Sequence, residues 1–195
     1  MDRGKIFLVT ADKNTSQALR RMLTKEGYQV TGEAADAPQA LRLIRLRKPD
    51  LVIVDQELTG MNGLAVAEII EQDRLAPVLL LGSYWQPGLL SKSPAAGIYG
   101  LLLKPVQEAT LLAMVEGALI NYRRICQLEK EVEKLKDALE TRKAVERAKG
   151  ILMETLGLTE AEAYRRIQKR AMDRCVPMRS IAEAIIVAYE LEKGK

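Results

Sequence analysis

Pro49-Asp50-Leu51-Val52-Ile53-Val54-Asp55 is the stretch that decides the fold. Four consecutive aliphatic residues with no polar alternate read as a strand covered on both faces, and the run stops abruptly at a carboxylate. Working outward, Ile6-Phe7-Leu8-Val9, Tyr28-Gln29-Val30, Val78-Leu79-Leu80-Leu81 and Gly100-Leu101-Leu102-Leu103 are runs of the same kind, separated by segments with helical periodicity. Five strands alternating with five helices predict an α/β, doubly wound, five-stranded parallel sheet. In such sheets ligands sit beyond the carboxyl ends of the strands, at the point where the strand order reverses. Asp55 ends the third run and Lys104-Pro105 follows the fifth.

Phosphoryl chemistry suits that pair, since Asp55 is a carboxylate nucleophile and Lys104 can balance the charge of incoming phosphoryl oxygens. With Gly63 eight residues after Asp55, these features resemble the receiver domain of two-component response regulators, a flavodoxin-like fold, over roughly residues 4 to 120. The resemblance implies Asp55 as phosphoacceptor, a cis Lys104-Pro105 bond, a magnesium ion and a sensor histidine kinase or other sensor protein as partner. The departures are specific. The acidic pair expected after the first strand is Thr10-Ala11, with Asp12 one place further on. The hydroxyl residue expected after the fourth strand is Gly82, with Ser83 beside it; the switch aromatic is Leu101, and the usual Met-Pro after the phosphoacceptor is Leu58-Thr59. Magnesium is held by one or two carboxylates plus water and phosphate oxygens, so losing both first-strand acids weakens it unless Asp12 turns inward to join Asp55. Two readings stay open: an atypical receiver with Asp55 as an electrostatic remnant, or ordinary phosphorylation rescued by Asp12 and Ser83. No other cofactor or metal is called for.

The charge is unevenly distributed. Residues 1–120 hold 13 Lys+Arg and 13 Asp+Glu, residues 121–140 hold five of each, and residues 141–195 hold 12 basic against eight acidic residues, so the whole formal +4 lies in the last segment. That placement is what a phosphate-rich partner requires. No run approaches the ~20 apolar residues of a membrane span, and the opening Met1-Asp2-Arg3-Gly4-Lys5 leads into a strand rather than an apolar signal core, which predicts a cytoplasmic chain without membrane contact. Cys126 and Cys175 lack metal or redox spacing and read as ordinary helix residues; with zero histidines a zinc site lacks its usual ligands.

Ile125, Leu128, Val132, Leu135 and Leu139 recur at intervals of 3, 4, 3 and 4, a heptad seam around a mixed-sign surface. It predicts a short parallel two-stranded coil over 121–140, and hence a homodimer; the alternative is one long helix packed back on its own first domain. That helix continues to about Leu156, with Gly157 as a left-handed stop. Thr159-Glu160-Ala161-Glu162 is a capping box opening a second helix, with Tyr164, Ile167 and Ala171 on its apolar side and Arg165, Arg166, Lys169 and Arg170 elsewhere. Cys175-Val176-Pro177 breaks it, and Met178 to Leu191 forms a third helix with Ile181, Ala182, Ile185, Ile186 and Tyr189 inward.

The pattern from Thr141 to Ile186, centred on Arg147-Ala148-Lys149-Gly150-Ile151-Leu152-Met153, resembles the ANTAR family of RNA-binding antiterminator modules, here a small all-α three-helix module over 141–195. The resemblance implies RNA stem-loops with six-base loops in tandem near a terminator, bound by a dimer, with Arg147, Ala148, Lys149 and Gly150 in the interface. Charge alone adds Arg170, Arg174 and Arg179 as phosphate contacts. Small residues beside Lys149 serve either close packing or an open backbone for a ligand. Tyr164 and Tyr189 both fall on apolar stripes, which argues against a stacking platform and for a folded hairpin. The alternatives are a DNA-binding response regulator and a protein-interaction module. Against the first, no short turn delivers a helix that opens on clustered base-reading Arg, Asn and Gln. No nucleophile and base constellation points to an enzyme.

Overall fold

The structure, a computed structural model, describes residues 3–58, 60–84 and 97–193. Thr59 and the segment expected to hold the fourth helix of the first domain lie outside the described residues. The elements are β1 (Lys5–Val9), α1 (Lys13–Lys25), β2 (Gln29–Ala34), α2 (Ala37–Arg47), β3 (Leu51–Asp55), α3 (Gly63–Gln72), β4 (Val78–Gly82), β5 (Ile98–Leu103), α4 (Glu108–Leu156), α5 (Glu160–Arg174) and α6 (Met178–Lys193). Contacts divide the chain into two compact units, Met1–Ile125 and Cys126–Lys195. Among the described residues no helix is long and apolar enough to cross a membrane.

The first unit is a five-stranded sheet in the order β2-β1-β3-β4-β5 with every neighbouring pair parallel. Alternate residues of each strand feed opposite faces. Ile6, Leu8, Leu51, Ile53, Leu79 and Leu81 join Leu19 and Leu23 of α1 and Leu111, Val115 and Leu119 of α4 in one core. Phe7, Val9, Val52, Val54 and Val78 join Ala40 and Ile44 of α2 and Val66 and Ile70 of α3 in the other. Covering on both sides is why the central strands carry no polar alternate. β2 runs further than the sequence pattern suggests, through Thr31-Gly32-Glu33. Gly32 is tolerated there because the Phe7 ring takes the space of its side chain, lying 2.5 Å from where a Cβ would sit.

Helix starts follow local chemistry. Asp12, Asp36 and Asn62 cap α1, α2 and α3 by accepting free backbone N–H groups. In the second unit Thr159 and Glu162 form the expected capping box, and Gly157 adopts a left-handed φ of +67° after α4. Cys175 is not an interior helix residue: at φ +53° it is the left-handed cap of α5. The core of this unit joins Val145, Ala148 and Leu152 to Ala163, Ile167 and Ala171 and to Ile181 and Ala182.

The loop after β3 doubles back so closely that a Cβ on Gly63 would lie 2.0 Å from the Asp55 carbonyl oxygen, which no side chain can occupy. Gly63→Ala is expected to destabilise the first unit by about 1–3 kcal/mol, the range for forced overpacking, read as a lowered urea midpoint with unchanged slope.

Candidate functional site

Reversal of the strand order puts the carboxyl ends of β1 and β3 side by side, and the first site forms there. Asp55 is 2% exposed, so its carboxylate needs partners to remain charged. One oxygen, Oδ2, accepts from the Thr10 hydroxyl at 2.7 Å and from the Lys104 ammonium at 2.7 Å, while Oδ1 accepts from the Glu57 N–H at 3.2 Å. Thr10, standing where a receiver's magnesium-binding acid is expected, therefore supplies a donor in place of an acceptor. The Lys104-Pro105 bond is cis.

Asp12 does not turn toward Asp55. Its carboxylate accepts from the backbone of Asn14 and Thr15 and from the Thr15 hydroxyl at 2.5 Å, bonds that lower its pKa, the Thr15 hydroxyl most. Ser83 is exposed and is not among the groups bonded to Asp55. At Gly82 the Gln56 side-chain oxygen lies 3.1 Å from where a Cβ would be. Among the described residues no group of three or more His, Cys, Asp or Glu is placed to hold a metal. Thr10 and Lys104 both donate to Asp55, so of these three side chains Asp55 alone could offer magnesium a carboxylate oxygen, the rest of its shell falling to water and phosphate oxygens.

In the second unit the sequence-predicted residues separate into four kinds. Ala148 is fully buried in the core, whereas Gly150 is exposed with no heavy atom within 4 Å of where a Cβ would be, so the two small residues serve different ends. Arg147 bonds Glu190 at 2.6 Å, and Arg179 bonds Glu183 at 2.7 Å and Asp137 at 2.9 Å. Arg170 and Arg174 are exposed and, with Arg166 and Lys169, have no ion pair among the described residues. Lys149 is the unexpected member: its side chain is only 8% exposed, and its ammonium lies 2.9 Å from Glu146 of its own helix and 2.7 Å from Glu160 at the start of α5.

The two tyrosines sit differently from the sequence expectation. Tyr164 is 43% exposed rather than inward, and Ala163 takes its place in the core with Ile167 and Ala171. Tyr189 is half-buried on α6 and donates its hydroxyl to Glu154. The break at Cys175-Val176-Pro177 lies where the sequence places it, and the arginine that follows, Arg179, is held by Glu183 and Asp137. The seam residues Ile125, Leu128, Val132, Leu135 and Leu139 are 43–70% exposed along α4.

The Lys149 bridge has a defined pH window. Donating to Glu146 and then to Glu160 raises the Lys149 pKa, and accepting from Lys149 lowers that of Glu160. A raised lysine contributes fully below its ordinary pKa of about 10.4 and loses the contribution as pH rises through the raised value; a lowered glutamate contributes above about 4.3 and loses it as pH falls through the lowered one. Lys149→Met, which leaves two carboxylates facing each other, is expected to lower the melting temperature of the second unit across that window. The deficit should shrink by pH 3; thermal melts over pH check it.

The sequence matches the response regulator receiver domain family over residues 6–116 and the ANTAR domain family over residues 133–186. It is 41% identical over 168 residues to the transcriptional regulatory protein PdtaR of Mycobacterium tuberculosis, covering 86% of this chain and 82% of that protein. Chemotaxis protein CheY of Thermotoga maritima is 30% identical over 111 residues, 56% of this chain and 92% of that one. Among solved structures, a LuxR-family two-component response regulator from Aurantimonas superposes with a TM-score of 0.57 at 32% identity, covering 60% of this chain and 86% of that chain.

Proposed function

Since the chain belongs to the family of response regulators that join a receiver domain to an ANTAR domain, a regulatory and non-enzymatic family, we propose that it binds paired RNA stem-loops as a homodimer and so keeps a transcription terminator from forming. The receiver implies a sensor kinase partner and the ANTAR domain implies RNA. The observation that carries the RNA reading is the row of exposed cations on α5, Arg166, Lys169, Arg170 and Arg174, which no carboxylate neutralises among the described residues. Phosphate binding draws its affinity from such cations by releasing counterions. Arg147 and Arg179 reach phosphate by exchanging a carboxylate for it, Lys149 holds α4 to α5, and Gly150 leaves the backbone approachable. The exposed seam on α4 pairs two chains, and two modest hairpin sites then act together.

In the receiver, Asp55 serves as the anion that Thr10 and Lys104 share, not as an efficient phosphoacceptor. Control then comes from a partner protein that binds the receiver and alters the dimer. Incubation with a small-molecule phosphodonor and magnesium should leave the intact mass unchanged; a stoichiometric phosphoryl gain that disappears in Asp55→Asn contradicts this.

RNA binding is tested by fluorescence anisotropy with two-hairpin and one-hairpin RNAs bearing six-base loops and with duplex DNA of equal charge. The two-hairpin RNA should bind most tightly. The triple variant Arg166→Gln, Lys169→Gln, Arg170→Gln should weaken every RNA and flatten the salt dependence by about one unit per cation removed. Leu128→Glu with Leu135→Glu should give monomers by sedimentation and cost the two-hairpin RNA about a hundredfold, leaving the single hairpin unaffected. Equal, weak binding to all three nucleic acids overturns the proposal.

A further inference from the structure

The Lys149 bridge organises a second feature of the C-terminal unit, one that phosphate contact does not use. The Lys149 side chain is nearly buried, yet the two glutamates that hold its ammonium are open to solvent, Glu146 at 57% and Glu160 at 71% side-chain exposure. Residues four apart on a helix share a flank. Four residues after Glu146 stands Gly150, with empty space where its side chain would be, and four residues after Glu160 stands Tyr164. Tyr164 is 43% exposed, and no hydrogen bond, ion pair or ring contact engages it among the described residues. On either side of one bridging ammonium, α4 therefore offers a carboxylate and a bare backbone, and α5 offers a carboxylate and an unengaged aromatic ring.

Each of these groups suits one part of an unpaired nucleobase. An aromatic face stacks on any base, an open glycine admits a flat ligand close to the backbone, and a carboxylate accepts from amino groups on a base edge while repelling carbonyl oxygens. We infer that this flank seats one unpaired base of the RNA loop, stacked on Tyr164 with its amino edge toward Glu160 and Glu146, and that it prefers an amino-bearing base over uracil. The inference rests on the RNA reading above and adds to it the residues that discriminate sequence, which the α5 cations cannot do because phosphates are alike in every loop. Lys149 is then a positioning residue: it fixes the two carboxylates and neutralises part of their charge, so that a polyanion can approach them.

The test uses the full chain and a pool of two-hairpin RNAs with randomised six-base loops, comparing wild type with Tyr164→Phe and Tyr164→Leu. Tyr164→Phe should bind within about twofold of wild type, while Tyr164→Leu should lose about tenfold or more, as expected for one stacked base, with an unchanged melting temperature. Loops selected by wild type should exclude uracil at one position. An abasic nucleotide at that position should weaken wild type and abolish its advantage over Tyr164→Leu. Wild-type binding to the pool with Tyr164→Leu equally tight, or with every base accepted at every loop position, overturns this inference and leaves the RNA reading standing. No binding of wild type to the pool overturns both.

Discussion

A lysine side chain that is 8% exposed is costly unless carboxylates meet its charge, and in this chain those carboxylates come from two different helices, Glu146 on α4 and Glu160 on α5. The geometry of the C-terminal unit depends on that bridge. Glu160 occupies the first position of α5, immediately after the cap Thr159, so the bridge and the capping box together determine where α5 begins. With α5 placed, Ala163, Ile167 and Ala171 meet Val145, Ala148 and Leu152, and the cations of α5 are left on the outside. Packing and outward-facing charge are thus consequences of one arrangement.

The receiver unit solves a similar problem with the opposite result. Asp55 is a nearly buried anion, and a receiver that binds magnesium would surround it with further acids and a metal. Here Thr10 and Lys104 both donate to the same oxygen, and Asp12 is spent on capping α1. The charge is balanced within the protein, so nothing external is required to satisfy it. The sheet, the lysine and the cis bond of a receiver are all present, around a carboxylate whose partners here are donors from the chain itself.

Most of the fold was legible in the sequence because the signals were local and strong. The four unalternated strand runs, the Thr159 and Glu162 box and the Gly157 stop each have a short-range cause. β2 was read too short because Thr31-Gly32-Glu33 looks like a turn; only the Phe7 ring, distant in sequence, makes a glycine acceptable there. The Tyr164 ring, three residues before Ile167, draws the apolar stripe of the sequence toward itself, although Ala163, Ile167 and Ala171 recur at intervals of four. The Lys149 partners divide along the same line. Glu146, three residues earlier, was available to helix-pair reasoning, whereas Glu160 lies across a turn whose path no periodicity specifies. Asp12 could have been found from the sequence, since an acidic residue just before a helical pattern, with Thr15 three places on, is an N-cap signal.

Two carboxylates, a buried lysine and a row of free cations on one small helical unit make that unit, not the sheet, the place where nucleic acid should be felt. Hydrogen exchange of the full-length chain with and without a two-hairpin RNA measures this directly. RNA binding by that unit predicts slowed exchange confined to the last turns of α4, to α5 and to the first turn of α6, where Arg179 stands, with the strand amides unchanged. Slowed exchange in the strands instead, or none anywhere in the C-terminal unit at saturating RNA, would contradict it.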